Sequence, residues 1–161
     1  MVKGFSRVQI ALHWGVAVMI IFQLLMGDDM SHLWRQIQQG GAVPTTTGAW
    51  IHIIVGTLVL VFVLWRLFLR LTRGVPDAPA GESRALTVAG DAGHWLLYAL
   101  MIAMPATGLL AWYGGVASLA GLHGALLKTL LWVMIAGHVL AAVYHHFILK
   151  DGLIKRMMRA A

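Results

Sequence analysis

Seven of the eight histidines in this sequence lie inside or at the ends of strongly apolar segments. Imidazole ligates metals and exchanges protons near neutral pH, and an ionisable side chain inside a bilayer is costly enough that it usually marks function. One such histidine could simply donate a hydrogen bond between helices. Histidines in all four apolar segments instead indicate a shared chemical role. The seven are His13, His52, His94, His123, His138, His145 and His146, whereas His32 lies in a polar stretch and is interpreted as solvated.

The segments that hold these histidines are predicted to be membrane helices. Hydrophobic residues make up 60% of the 161 residues, charged residues only 11%, and the mean hydropathy is +0.80. A soluble domain of this size could not bury so much apolar surface. Four windows are long enough to cross a hydrocarbon core of ~30 Å. We therefore predict an all-α fold, an integral membrane four-helix bundle forming one domain over residues 1–161, with spans at about 8–26, 48–71, 87–113 and 122–149.

The basic residues predict the orientation of this bundle. Ten of the twelve lie on one side of the predicted spans, and only Arg35 and Lys128 lie on the other. Because cytoplasmic loops carry an excess of Lys and Arg, both termini are predicted to be cytoplasmic. This distribution accounts for the net charge of +6 without a nucleic-acid partner. The ten are Lys3, Arg7, Arg66, Arg70, Arg73, Arg84, Lys150, Lys155, Arg156 and Arg159.

Helix rise predicts that the histidines lie at two depths. His52 lies near the outer start of the second span and His123 at the outer start of the fourth, so these two can face each other. His138 follows His123 by fifteen residues, or ~22 Å along a helix, which places it level with His13 near the inner end. Fifteen residues also return to broadly the same helix face. His94 is predicted at the same depth as His13, so it is an alternative partner on geometry alone.

Two pairs of imidazoles in a helical bundle suit an iron porphyrin with two axial histidines. The chain has no cysteine, which excludes thiolate sites and disulfides, and the spans offer no carboxylate at either level. Zinc would normally need a third or fourth protein ligand. The sequence therefore favours two haems over a zinc site. The rival from another class is a cofactor-free membrane transporter or structural subunit.

With these residues in view, the chain resembles the bacterial cytochrome b561 family of small four-helix membrane dihaem proteins. The resemblance covers nearly the whole chain. Each motif is short, but the occurrence of all four in the same order makes the match specific. The motifs are QIALHW at residues 9–14; His52 and Gly56 followed by Arg66, Leu67 and Arg70; Gly93, His94, Tyr98, Pro105 and Gly108; and His138 followed by His145, His146 and Phe147.

The resemblance implies ligands from the first and fourth helices for one haem and from the second and fourth for the other. It thus implies His13 with His138 for the inner b-type haem, and His52 with His123 for the outer. The fourth-helix ligands are one residue further apart than is usual in the family. Either the fourth helix carries a bulge or His123 hangs from the loop before it.

The resemblance also implies single-electron transfer between the outer face and the quinone pool. Superoxide oxidation with ubiquinone as acceptor is the oxidoreductase activity assigned to relatives. The alternative is a subunit that relays electrons between quinone and another donor or partner enzyme. His94 and His145 are candidates for a quinone or proton-exchange site near the inner boundary, although an interfacial polar role would also explain them. The expected location is the bacterial inner membrane, with the lipid bilayer and quinone as partners.

Overall fold

The computed structural model describes residues 4–41, 44–79 and 81–160, and these residues form helices and connections without any strand. The all-α prediction is confirmed. In chain order the elements are α1 (Arg7–Leu25), α2 (Asp28–Gln38), α3 (Thr47–Arg73), α4 (Arg84–Gly114), α5 (Ala117–Gly121), a π-helical turn (Leu122–Leu127), α6 (Lys128–Tyr144), a second π-helical turn (His145–Leu149) and α7 (Leu153–Arg156).

Within the described part of the chain, four helices are long and apolar enough to cross a membrane, as predicted. They are α1, α3, α4 and the continuous helix Ala117–Leu149. The third and fourth begin several residues before the predicted windows, at Arg84 and Ala117. Helix α4 begins early because the Ser83 hydroxyl accepts a hydrogen bond from the Leu86 N–H and caps the first turn.

Local signals in the sequence fix where the other helices begin and end. Ser6 and Gln9 form a reciprocal capping box at the start of α1, and the Thr46 hydroxyl caps α3. Gly74 ends α3 at a φ of 75°, a conformation that glycine adopts without strain. The Gln9 amide donates a hydrogen bond to the Gly74 carbonyl at 3.2 Å, which ties the start of α1 to the end of α3.

Part of the connection between the first two spans, the polar stretch that contains His32, forms helix α2. Met30, Leu33, Trp34 and Ile37 follow a helical spacing of three and four residues, so α2 presents an apolar stripe to the bundle. Leu33 is 2% exposed, and the rest of the helix is largely polar and exposed.

Nine buried apolar side chains form the core of the bundle. They come from all four spans and place α3 between α1 and α4; the members are Val16, Ile20, Leu24, Val59, Val63, Leu97, Tyr98, Leu100 and Leu131. Of these, α6 supplies Leu131. We call residues 4–6, 74–79, 81–83 and 150–160 the terminal face, and residues 27–41, 44–46 and 115–116 the α2 face. Lys3, counted among the basic residues of the cytoplasmic side, lies outside the described residues.

The fourth span contains a bulge at the position of His123. Residues 122–127 form a π-helical turn, which holds more residues per turn than an α-helix. His123 therefore lies in the helix and does not hang from the preceding loop. The extra residue accounts for the spacing between His123 and His138 while both rings still point into the bundle.

Candidate cofactor sites between the helices

Two pairs of imidazole rings face each other across the bundle. Near the α2 face, His52 of α3 and His123 of the π-helical turn have ring centroids 6.0 Å apart. Nearer the terminal face, the rings of His13 in α1 and His138 in α6 are 6.2 Å apart. All four rings are partly buried. Each pair thus joins the fourth span to a different helix.

The spacing of both pairs fits a metal ion held between two imidazoles. A metal–nitrogen distance of about 2 Å, plus about 1.1 Å from that nitrogen to the ring centre, gives about 6 Å when doubled. Among the described residues no group of three or more His, Cys, Asp or Glu side chains could hold a metal. Each pair therefore suits a metal whose other ligands come from a macrocycle, and haem meets that requirement.

The His123 ring has a defined orientation. Its Nδ1 lies 2.7 Å from the Met104 carbonyl oxygen, which leaves Nε2 available for a metal. A carbonyl partner of this kind fixes the tautomer of a ligating imidazole. The ring also lies directly on Gly108, where an added Cβ would be 3.0 Å from Cε1 and 3.1 Å from Nδ1. Glycine at this position permits the close approach of the ring to α4.

A cavity opens beside His52 and His123 toward the α2 face. It contains about 1240 Å³ of space between atoms, including its open mouth. Gly56 and Met104 line its inner part, and Lys128 lines it near His123. The paired rings of Trp34 and Trp112, with centroids 6.3 Å apart, belong to its lining. This cavity combines a largely apolar wall with one cationic side chain.

The terminal-face pair has two close neighbours. The His94 ring centroid lies 5.4 Å from that of His138, which is shorter than the spacing calculated for two trans imidazoles. His94 is exposed, whereas His13 and His138 are partly buried. Arg66, within α3, is close enough to interact electrostatically with His13 and His138.

Arg66 has no carboxylate within ion-pair distance among the described residues. Its guanidinium lies 6.0 Å from the centre of the Tyr98 ring. Arg70, one turn later, pairs with Asp91 at 3.3 Å. A partly buried cation in a membrane span needs a counter-charge, because hydrocarbon does not solvate it. Arg66 is therefore placed to receive an anionic group near His13 and His138.

His145 lies in a cluster that the sequence did not predict. Its ring is between Asp151, at 2.5 Å from Nδ1, and Glu82, at 3.7 Å from Nε2. Lys150 and Gly152 adopt left-handed conformations that fold Asp151 back onto the end of the fourth span. Burial opposes ionisation of Asp151, but hydrogen bonds from His145 and the Leu153 N–H lower the pKa of its carboxyl.

The histidines predicted to have functions thus occupy three places. His52 and His123 share one level, and His13, His94 and His138 share the other. His145 is buried at the terminal face, and no contact joins it to His94 among the interactions of the described residues. The sequence did not predict roles for Glu82 and Asp151, since neither lies in a span, and it placed Lys128 among the basic residues of the outer side.

Comparisons with known proteins also indicate a cytochrome. A family model described as prokaryotic cytochrome b561 matches residues 4–160. A protein named cytochrome b562 from Cereibacter sphaeroides is 35% identical over 158 residues, covering 97% of this chain and 96% of that protein. A protein named probable superoxide oxidase CybB from Yersinia pestis is 27% identical over 179 residues, with coverage of 97% and 96%.

Proposed function

The chain belongs to the prokaryotic cytochrome b561 family, and from this premise we propose that it binds two b-type haems and moves single electrons between the outer face and quinone. The family is one of haem-containing membrane electron-transfer proteins. The observation that carries the dihaem proposal is the pair of ring separations, 6.0 and 6.2 Å, each leaving room for one iron atom. Bound haem supplies one-electron oxidation and reduction at its iron.

In this proposal the four histidines would bind the iron of two haems. His52 and His123 would hold the haem near the α2 face, and His13 and His138 would hold the one near the terminal face. Arg66 offers a guanidinium to a propionate of the second haem, since it has no carboxylate partner of its own. In the same proposal the terminal face lies on the cytoplasmic side of a bacterial inner membrane, and the excess of basic residues at that face supports this orientation.

We further propose superoxide as the electron donor, at the α2 face. Two superoxide anions each give up one electron and become O₂, and one quinone takes two electrons and two protons to become quinol. The supporting observation is Lys128, which lines the cavity beside His52 and His123 and attracts an anion. Asp29 lies against Gly48 in the first turn of α3, where the helix dipole partly offsets its charge.

Quinone exchange belongs to the terminal face in the same proposal. His94 is exposed beside His138, and His145 lies at the end of the same span. Both imidazoles are candidates for exchanging protons with a quinone head group, because an imidazole nitrogen can accept and donate a proton. A relay from quinol to a partner enzyme uses the same two haems in the opposite direction.

Visible spectroscopy and stopped-flow kinetics test this function. The purified protein is expected to show a sharp b-type band in its reduced-minus-oxidised spectrum, with about two haems per chain. Superoxide should reduce it rapidly, and Lys128→Gln should lower that rate constant roughly tenfold and weaken its dependence on salt. Lys128→Arg is the matched control and should keep the rate. Colourless protein from haem-replete cells contradicts the dihaem proposal, and reduction by quinol alone contradicts superoxide as the donor.

Gly108→Ala is expected to disturb the haem near the α2 face selectively. The added methyl group would be 3.0–3.1 Å from the His123 ring, which must move away from the Met104 carbonyl to accommodate it. We expect a shifted or partly lost spectral contribution from one haem, while the other is unchanged. Gly137→Ala is the control, because nothing lies within 4 Å of its added Cβ even though it precedes His138. Identical spectra for both variants and the native protein would contradict the proposed role of His123.

A further inference from the structure

A buried imidazole lies between two carboxylates at the terminal face. His145 is 8% exposed, and the side chains of Glu82 and Asp151 are 8% and 13% exposed. The three groups come from separate parts of the chain: the end of the fourth span, the segment before α4, and the turn before α7. Their meeting is therefore a product of the tertiary fold.

The cluster has a place for an additional proton. Ionised carboxylates only accept hydrogen bonds, and a neutral imidazole has one N–H to donate. His145 presents one nitrogen to each carboxylate, so a second proton is needed before both can be satisfied. The Asp151 carboxylate also accepts a hydrogen bond from the Leu153 N–H at 3.0 Å, which favours its ionised form.

The other groups near His145 contribute less to the protonation state of the cluster. The Tyr144 ring lies edge-on to the imidazole with centroids 6.2 Å apart. Arg156 acts on Asp151 electrostatically, but its guanidinium donates its hydrogen bond to the Asp77 carbonyl at 2.6 Å. The protonation state of the cluster is therefore set mainly by His145 and its two carboxylates.

The cluster is close enough to sense charge at the terminal-face haem site. His145 follows His138 by seven residues, which is about 10 Å along a helix and nearly the same helix face. Charges at that separation interact appreciably where little water lies between them, because the local dielectric is low. An electron arriving beside His138 thus favours protonation of the cluster.

We propose that Glu82, His145 and Asp151 form a proton-exchange site coupled to electron entry at the His13–His138 site. The cluster takes up one proton from the adjacent aqueous phase for each electron that enters, and it passes that proton to quinone when the electron leaves, so that two such transfers convert one quinone to quinol. No covalent bond other than an N–H or O–H bond forms or breaks in the cluster. This inference rests on the proposed dihaem function, and it adds two carboxylates and a direction of proton flow to it.

Redox titration followed by visible spectroscopy tests the coupling. The potential of one haem should fall as pH rises across the range in which the cluster takes up its proton, approaching 59 mV per unit for one proton per electron. The other haem should change little. A His52→Ala background, which retains the His13–His138 site, identifies which haem responds. His145→Gln should abolish most of the slope while both b-type bands remain, and the control His146→Gln should keep it, because His146 is exposed.

The carboxylate variants provide a second test. Asp151→Asn removes an ionised partner of the imidazole, so we expect the pH-dependent range to move to lower pH, and Glu82→Gln should do the same. The inference is overturned if native protein with two haems has pH-independent potentials, if His145→Gln keeps the native slope, or if both carboxylate variants leave the range unchanged. A native protein without b-type bands would instead overturn the proposed function on which the inference rests.

Discussion

His138→Ala is expected to lower the haem content from two to about one per chain, whereas His94→Ala should leave two. The structure places both rings at the same level, but only the His13–His138 separation of 6.2 Å matches the calculated spacing. His94, at 5.4 Å from His138, is too close to be its trans partner. The measurement is haem per chain in the purified protein, from the pyridine haemochrome spectrum.

The two variants form a matched pair, since each removes one imidazole from the same level of the bundle. A His94→Ala protein with one haem and a His138→Ala protein with two would reverse the ligand assignment. His13→Ala should behave as His138→Ala does, because either change removes one of the two axial ligands. If His94→Ala keeps both haems, as expected, and also slows quinone reduction, the candidate role of His94 in quinone exchange gains support.

His52→Ala is expected to remove the haem near the α2 face and to stop electron transfer across the bilayer. The two haem sites are ~22 Å apart along the fourth helix, and electron transfer weakens steeply with distance, so neither site alone can span the membrane. In vesicles with a reductant outside and ferricyanide inside, the rate should fall to that of protein-free vesicles. The native protein, inserted so that its α2 face contacts the reductant outside the vesicle, provides the rate for comparison.

His32→Ala is the control for that experiment. His32 lies on α2, is exposed, and contacts Arg35 through its Nδ1 at 2.9 Å. It belongs to the same face but to neither ring pair, so its loss should leave both haems and the vesicle rate unchanged. A His52→Ala protein that keeps two haems, or that still carries electrons across the bilayer, would contradict the assignment of His52 and His123 as a ligand pair.

Much of this arrangement could be predicted from the sequence because helix geometry in a bilayer is strongly constrained. Apolar length gave the four spans, and a rise of ~1.5 Å per residue placed His52 opposite His123 and His13 level with His138. The observed ring separations agree with that placement, while iron ligation and the cytoplasmic position of the termini stay predictions. Depth alone could not decide between His94 and His138 as the partner of His13, because all three histidines are predicted at the same level.

The parts that escaped prediction depend on how connections fold. Asp151 reaches His145 only because Lys150 and Gly152 turn the chain back, and a conformation with positive φ at Lys150 has no clear signal in the sequence. Glu82 approaches from a segment 63 residues earlier in the chain. The π-helical turn at His123 was foreseen as one of two alternatives, because residue spacing shows that a residue is extra but not how the backbone accommodates it.

The dependence of both ring pairs on the fourth span has a consequence for biogenesis. His123 and His138 both come from the fourth span, which is synthesised after the other three, and among the described residues that span supplies only Leu131 to the buried core. On the proposed ligation, a nascent or prematurely terminated chain of three spans cannot clamp either cofactor from both sides. On this proposal, the fourth span must therefore be in place before either cofactor can be held by two histidines.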